Sequence, residues 1–208
     1  TLDNIAGTDL SKYNVIIMPS GSYNALKTSG KAKIEQWAAQ QNNTIVAYGN
    51  ALRWLASNGI GSLKINTNQY VTNELNRPYN MIARDRGSNV IGGAILNINT
   101  DLSHPIFYGY HDSNIQIFRK GNVFLNKPKN KYAAPAYYAN NPLTSGYASI
   151  GNIELLANSP AILGTSFKRS TLICFADNPN FRAFWHNTQK LSANAIFFGS
   201  IINKGALE

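Results

Sequence analysis

Two uninterrupted apolar runs, each followed closely by a helical pattern, constrain this chain more than any other feature. The first is YNVIIM (13–18), broken by Pro19 and Gly21. The second, TIVAY (44–48), runs straight into Gly49 and the segment NALRWLASNG (50–59). Between them, SGKAKIEQWAAQQ (29–41) sets Ile34, Trp37, Ala38 and Gln41 at helical spacing, with Thr28 or Ser29 placed to cap it. Runs without polar alternation suit parallel strands covered on both faces, and parallel strands need helical crossovers. The β-α-β-α order therefore predicts an α/β fold with a doubly wound, mainly parallel sheet flanked by helices.

The pattern changes between Gly59 and Gly146. Helical spacing is scarce there, and AILNI (94–98), PIFYGY (105–110), IQIFR (115–119) and NVFL (122–125) read as short strands. KPKNKYAAPAYYANNPLTSGY (127–147) reads as a long irregular loop. Residues 59–146 are thus expected to form a β-rich insertion. The α/β pattern then resumes, with a short helix in IGNIELLAN (150–158), adjacent strands in PAILGTSF (160–167) and STLICFA (170–176), and a terminal helix in KLSANAIFFGSIINKG (190–205). Leu191, Ala195, Phe198 and Ile202 make its apolar stripe, and Gly205 its expected stop.

No linker composition divides the 208 residues, so residues 1–206 are read as one domain, and Leu207–Glu208 as a tag-like remnant left out of the fold reading. Apolar residues make up 44% and charged residues 14%, which excludes disorder. No apolar run reaches the length of a membrane span, and the lone Cys174 reads as inert packing in a buried strand. The net charge of +9 raises nucleic acid as a partner. Its basic residues are scattered apart from KPKNK (127–131), without the basic face such binding needs, so nucleic acid is set aside.

Catalytic constellations are sparse. His104, His111 and His186 are followed by PIF, DSN and NTQ, so neither H-x-x-E nor H-E-x-x-H occurs and no metal site is assigned. The strand-to-helix turn after TIVAY has the shape that presents a nucleophile in hydrolases and amidotransferases, yet Gly49, Asn50 and Ala51 stand there. One polar cluster remains: DNPNFRAFWHN (177–187) follows an apolar strand, where open α/β sheets bind ligands. Asp177, Asn178, Arg182 and His186, with the Ser20–Gly21 turn, are the candidate ligand residues. The competing reading has Asp177 and Asn178 bracing a turn and Asp177 pairing with Arg182. The aromatics of YAAPAYY and HPIFYGYH suit either a stacking platform for sugars or peptides, or the cover of a small β-layer.

Taken together, DLSKYNVIIMPSGSY, KIEQWAAQQNNTIVAYGNALRWL, SHPIFYGY, PLTSGY and above all ICFADNPNFRAFWHNTQKLSANAIFFGSI resemble the C-terminal region of bacterial zinc carboxypeptidases of the carboxypeptidase A type. The resemblance spans nearly the whole chain. It implies a class I glutamine amidotransferase-like, flavodoxin-like fold whose G-x-C-x-G elbow is degenerate here, Ala51 replacing the cysteine and Arg53 the second glycine. It also implies a non-catalytic accessory domain of a secreted or periplasmic enzyme. Its partners would be an upstream zinc-bearing peptidase domain and a peptide or glycan, and this chain itself would hold no cofactor. The chain lacks Met at its start and reads as part of something longer, with the first strand of such a sheet expected upstream and an exposed edge prone to self-association. The alternative expectation is a small-ligand or glycan-binding module at the carboxyl edge of the sheet.

Overall fold

A computed structural model describes residues 2–40, 42–66 and 76–208. In chain order the elements are β1 (Val15–Met18), α1 (Thr28–Ala38), β2 (Thr44–Tyr48), α2 (Ala51–Ser57), β3 (Ile65–Asn66), α3 (Ile82–Ser88), β4 (Ala94–Thr100), β5 (Asn114–Arg119), β6 (Phe124–Leu125), β7 (Ala136–Gly146), α4 (Ile150–Leu156), β8 (Pro160–Phe167), β9 (Ser170–Phe175) and α5 (His186–Phe198). Among the described residues seven strands form one sheet in the order β1-β2-β9-β8-β7-β4-β5, and β3 pairs with β6 apart from it.

Of the two uninterrupted runs, TIVAY is covered on both faces as expected, whereas YNVIIM forms the edge strand β1 and is only partly buried. Every residue of β2 and β9 is buried, and their side chains alternate between two cores. Ile45, Ala47, Leu172 and Cys174 face Ile34 and Trp37 of α1 and Leu52 and Leu55 of α2. Val46, Tyr48, Ile173 and Phe175 face the other side, where Leu191 and Ala195 of α5 pack. β1 forms the sheet's edge, and its Ile17 is 46% exposed.

The sheet as a whole is mixed, which corrects the mainly parallel expectation. Only β1·β2 and β2·β9 are parallel, whereas β9·β8, β8·β7, β7·β4 and β4·β5 are antiparallel. The connections supply the reason. β8 and β9 are joined by Lys168 and Arg169 alone, with Lys168 at φ 55°, and so short a link can join only antiparallel neighbours. Among the described residues, helix α1 alone makes a parallel crossover between consecutive strands, because α2 leads to the two-residue β3 outside the main sheet.

The middle region also departs from its reading as an insertion, since β4, β5 and β7 belong to the main sheet. Residues 67–75 of that region lie outside the described residues. PIFYGY is not a strand: Pro105–Phe107 form a single 3₁₀ turn, entered at His104, whose Nδ1 accepts from the Ile106 N–H at 3.3 Å. The expected loop 127–147 contains the eleven-residue β7. Its ladder with β4 shifts between the Leu96–Leu143 and Ile98–Tyr138 pairs, so residues 139–142 bulge and absorb Pro142, which has no N–H to give.

Helix α1 starts at Lys27 as its N-cap without a side-chain cap bond, so Thr28 and Ser29 lie inside the helix. Helix α5 begins at His186, earlier than expected, and ends at Phe198, well before Gly205. Leu207 and Glu208, left out of the sequence reading, are bonded into the fold. Leu207 is 7% exposed, while Glu208 donates its N–H to the Gly164 carbonyl and accepts from the Ser166 N–H, both at 3.1 Å. They cover the part of β8 that β7 does not pair.

Cys174 lies fully buried in the α1–α2 core, and burial pushes its thiol pKa up. A thiol reagent should therefore titrate no cysteine in the native protein and one after denaturation. Labelling of the folded chain on a mixing timescale would contradict this packing.

Candidate functional site

The carboxyl ends of β1, β2 and β9 bring the candidate residues to one edge of the parallel part of the sheet. Strand β2 turns through Gly49, at φ +51°, into Asn50 and then α2. Gly49 ties its N–H to the Phe175 carbonyl of β9 at 2.9 Å and accepts from the Leu52 N–H at 3.0 Å. This is the sharp strand-to-helix turn that the sequence implied. Its left-handed residue is Gly49, not Ala51, which begins α2 and is 0% exposed among Leu52 and Leu55.

Ser20 occupies the space that a side chain on Gly49 would need. A Cβ built at Gly49 would lie 2.7 Å from Ser20 Oγ, and that oxygen accepts the Asn50 N–H at 3.1 Å. The turn is therefore closed over by a hydroxyl from the β1 end and presents no side chain of its own at its strained residue.

Asp177 follows β9 and turns inward, with 7% exposure. Its partner is Arg119 at the end of β5, not Arg182, which corrects the alternative pairing. Arg119 Nη1 donates to Asp177 Oδ1 at 3.1 Å and to the Tyr138 hydroxyl at 2.8 Å, and Nη2 donates to the Val123 carbonyl at 2.6 Å. Tyr138 of β7 donates its O–H to Asp177 Oδ2 at 2.5 Å. The guanidinium also lies 4.8 Å from the Phe124 ring centroid. Three distant strand ends thus meet in one buried polar cluster, while Arg119 Nε finds no partner among the described residues.

Desolvation governs the ionisation of this cluster. Burial raises the Asp177 pKa above its ordinary value, although Arg119 pulls it down. Burial also raises Tyr138 well above the usual phenol value, so it remains a neutral donor. Burial works against the Arg119 charge, but Tyr138 and Asp177 outweigh it and hold its pKa above the ordinary value.

The other candidates do not join Asp177. Asn178 Oδ1 accepts the Asn180 N–H at 3.0 Å, bracing its own turn. Asn180 Nδ2 donates to Ser192 Oγ at 2.8 Å, and the Tyr48 hydroxyl donates to the same oxygen at 3.1 Å, which ties the turn to α5 and β2. Arg182 is exposed at φ 51° over the Phe181 ring, and His186 is exposed at the first residue of α5. Gly21 is exposed beside Ser20. Among the described residues no hydrogen bond or ion pair links the Ser20–Gly21 turn to Asp177, Asn178, Arg182 or His186, and no group of three His, Cys, Asp or Glu side chains is placed to hold a metal.

Arg119 and Tyr138 escaped the sequence reading. Their signal was alternation: Arg119 continues the buried face of Ile115 and Ile117 along β5, and Tyr138 that of Ala136 along β7. A charged residue on a strand's buried face implies a buried partner.

No family model matches the chain, and no curated protein matches its sequence. Solved structures do match. A ThuA-like protein from Bacteroides uniformis is 13% identical with a TM-score of 0.54, over 97% of this chain and 74% of that one. A ThuA-like protein from Parabacteroides merdae is 12% identical with a TM-score of 0.54, over 98% of this chain and 83% of that one. At such identity the likeness concerns fold alone, a mixed α/β architecture around a seven-stranded sheet.

Proposed function

We propose that this domain is the non-catalytic accessory domain of a secreted or periplasmic zinc carboxypeptidase, packed on the peptidase domain and helping to position its peptide substrate. The observation that carries this reading is the closed elbow: Ser20 fills the space over Gly49, and Ala51 is buried without a reactive atom. An amidotransferase-like fold whose nucleophile turn is sealed is suited to a scaffold role. The exposed β1 edge supports it further, with Tyr13 and Ile17 exposed there. Phe197 of α5, 77% exposed, borders a hollow with Val15 and Thr44 beside that edge. Such an apolar flank suits a neighbouring domain, and it would serve self-association where that neighbour is lacking.

Zinc belongs to the peptidase domain in this reading, where it would activate water for release of a C-terminal residue. Among the described residues no three His, Cys, Asp or Glu side chains are grouped to hold it, Cys174 being packed in the core and Asp177 engaged by Arg119 and Tyr138. The test compares zinc-dependent release of C-terminal residues from a peptide panel by the longer parent chain, the parent lacking this segment, and this chain alone. The expected result is activity in the parent, a loss of kcat/KM on the order of tenfold on truncation, as misplaced substrate would cause, and none in this chain. Cleavage by this chain alone would overturn the reading.

A second reading, a small-ligand or glycan module at the carboxyl edge, draws on the exposed Gly21, Arg182 and His186. Titrating the chain with candidate ligands and following the resonances of those three residues distinguishes it from the first.

A further inference from the structure

A separate cleft lies between the turn entering β5 and the start of α5. Its volume is about 480 Å³, inside the range of roughly 300–1,000 Å³ usual for small-molecule sites. Two aromatic side chains form its fixed walls. The Tyr110 hydroxyl donates to the Asn187 carbonyl, and its ring meets Phe107 edge-on at 5.9 Å. The Trp185 indole N–H donates to the Gln116 carbonyl at 3.0 Å, and its ring meets Phe184 edge-on at 5.8 Å. With their polar tips engaged by backbone, these rings offer apolar surface in a set orientation.

The polar side chains of the cleft are in the opposite state. His111, Asp112, Gln116 and Asn187 are exposed, and none of their side chains is engaged in a hydrogen bond among the described residues. Planar amides, a carboxylate and an imidazole beside fixed aromatic surfaces match the alternating hydroxyl edge and C–H face of a pyranose ring. Among the described residues the lining carries the Asp112 carboxylate, and the Lys190 ammonium stands beside it, donating to the Gly109 carbonyl at 2.9 Å and lying 5.7 Å from the Tyr110 ring centroid, so the charges at the cleft balance and favour neither an anionic nor a cationic ligand. The backbone leading to Trp185 is strained as well. Arg182 and Ala183 are consecutive left-handed residues with side chains, at φ 51° and 53°, a strained conformation of the kind found at ligand clamps.

We infer that this cleft binds a neutral saccharide chain, with Tyr110 and Trp185 as contact surfaces and Asp112 and Asn187 as hydroxyl-recognising groups. The inference goes beyond the accessory role and does not rest on it, because its assay contains no peptidase.

The test titrates the isotope-labelled chain with cellotetraose, xylotetraose and chitotetraose, each to about 10 mM, a ceiling that captures even millimolar affinity. At least one should give saturable shifts confined to residues 109–116 and 185–187. Asp112→Asn and Asn187→Ala should each weaken that binding about fivefold or more, and Trp185→Ala about tenfold or more, with each tenfold equal to about 1.4 kcal/mol. Should Trp185→Ala disturb folding, the two polar variants decide, because their side chains bear no internal bond. The inference fails if none of the three saccharides shifts the cleft, if the shifts map to another surface, or if the variants bind as the wild type does.

Discussion

Replacing Arg119 with methionine lowers stability at pH 7 by about 3–5 kcal/mol, the usual cost of leaving a buried charge without its partner. For a chain of this length that corresponds to a Tm roughly 6–20 °C lower. The size follows from position: Arg119 is 1% exposed and Asp177 is 7% exposed, so the orphaned carboxylate would be left largely desolvated. The variant should also show an altered pH dependence. Burial already holds Asp177 above its ordinary value of 3.8, and Arg119 is the charge that opposes this. Without Arg119 the folded-state value rises further. A group raised in the folded state stabilises fully below its unfolded value and loses that contribution as pH climbs through its folded value. The deficit of Arg119→Met should therefore shrink as pH falls from 7 toward 4. Urea unfolding of both proteins across that window measures it. A variant as stable as the wild type at pH 7, or a deficit that widens on acidification, would contradict the buried pair.

Gly199→Ala should cost about 1–3 kcal/mol, the range for overpacking a well-filled core. A Cβ at Gly199 would stand 2.4 Å from Thr44 Cγ2, 2.8 Å from Thr44 Oγ1 and 3.1 Å from Ile173 Cδ1. Those atoms belong to the buried parallel strands β2 and β9, so neither strand can retreat without disturbing the core. Backbone freedom is not the issue, since Gly199 has φ −58°. Gly205→Ala is the matched control: Gly205 is exposed, and its Cβ would meet only the Asn203 side chain, at 3.3 Å. Thermal melts should show a clear drop for the first variant and little change for the second. Equal effects would mean that the end of α5 does not approach the sheet as described.

The two glycines illustrate what local reading captures. Gly205 reads as the stop of α5, which ends at Phe198 instead, while of the expected stripe Leu191, Ala195 and Ile202 are buried, Phe198 is half-buried, and Ile202 lies beyond the helix. The close approach of Gly199 to Thr44 joins residues far apart in sequence, and no periodicity announces it. The candidate site divides similarly. That the elbow lacks a nucleophile follows from Gly49, Asn50 and Ala51 themselves. That Ser20 fills the vacated space, and that Asp177 turns to Arg119 and not to Arg182, depends on how loops and strand ends meet.

The sequence by itself determined the buried parallel strand β2, the apolar strand β9, the helices that cover them and the empty elbow, because burial on both faces and helical spacing leave a local record in residue type. Tertiary structure alone decided the antiparallel course of β4, β5, β7 and β8, the pairing of Arg119 with Asp177 and Tyr138, and the cleft between Tyr110 and Trp185. The physical reason is common to all three. Strand partners and buried ion pairs are selected by contacts across scores of residues, whose free energy appears only when connection lengths, twist and packing are satisfied together.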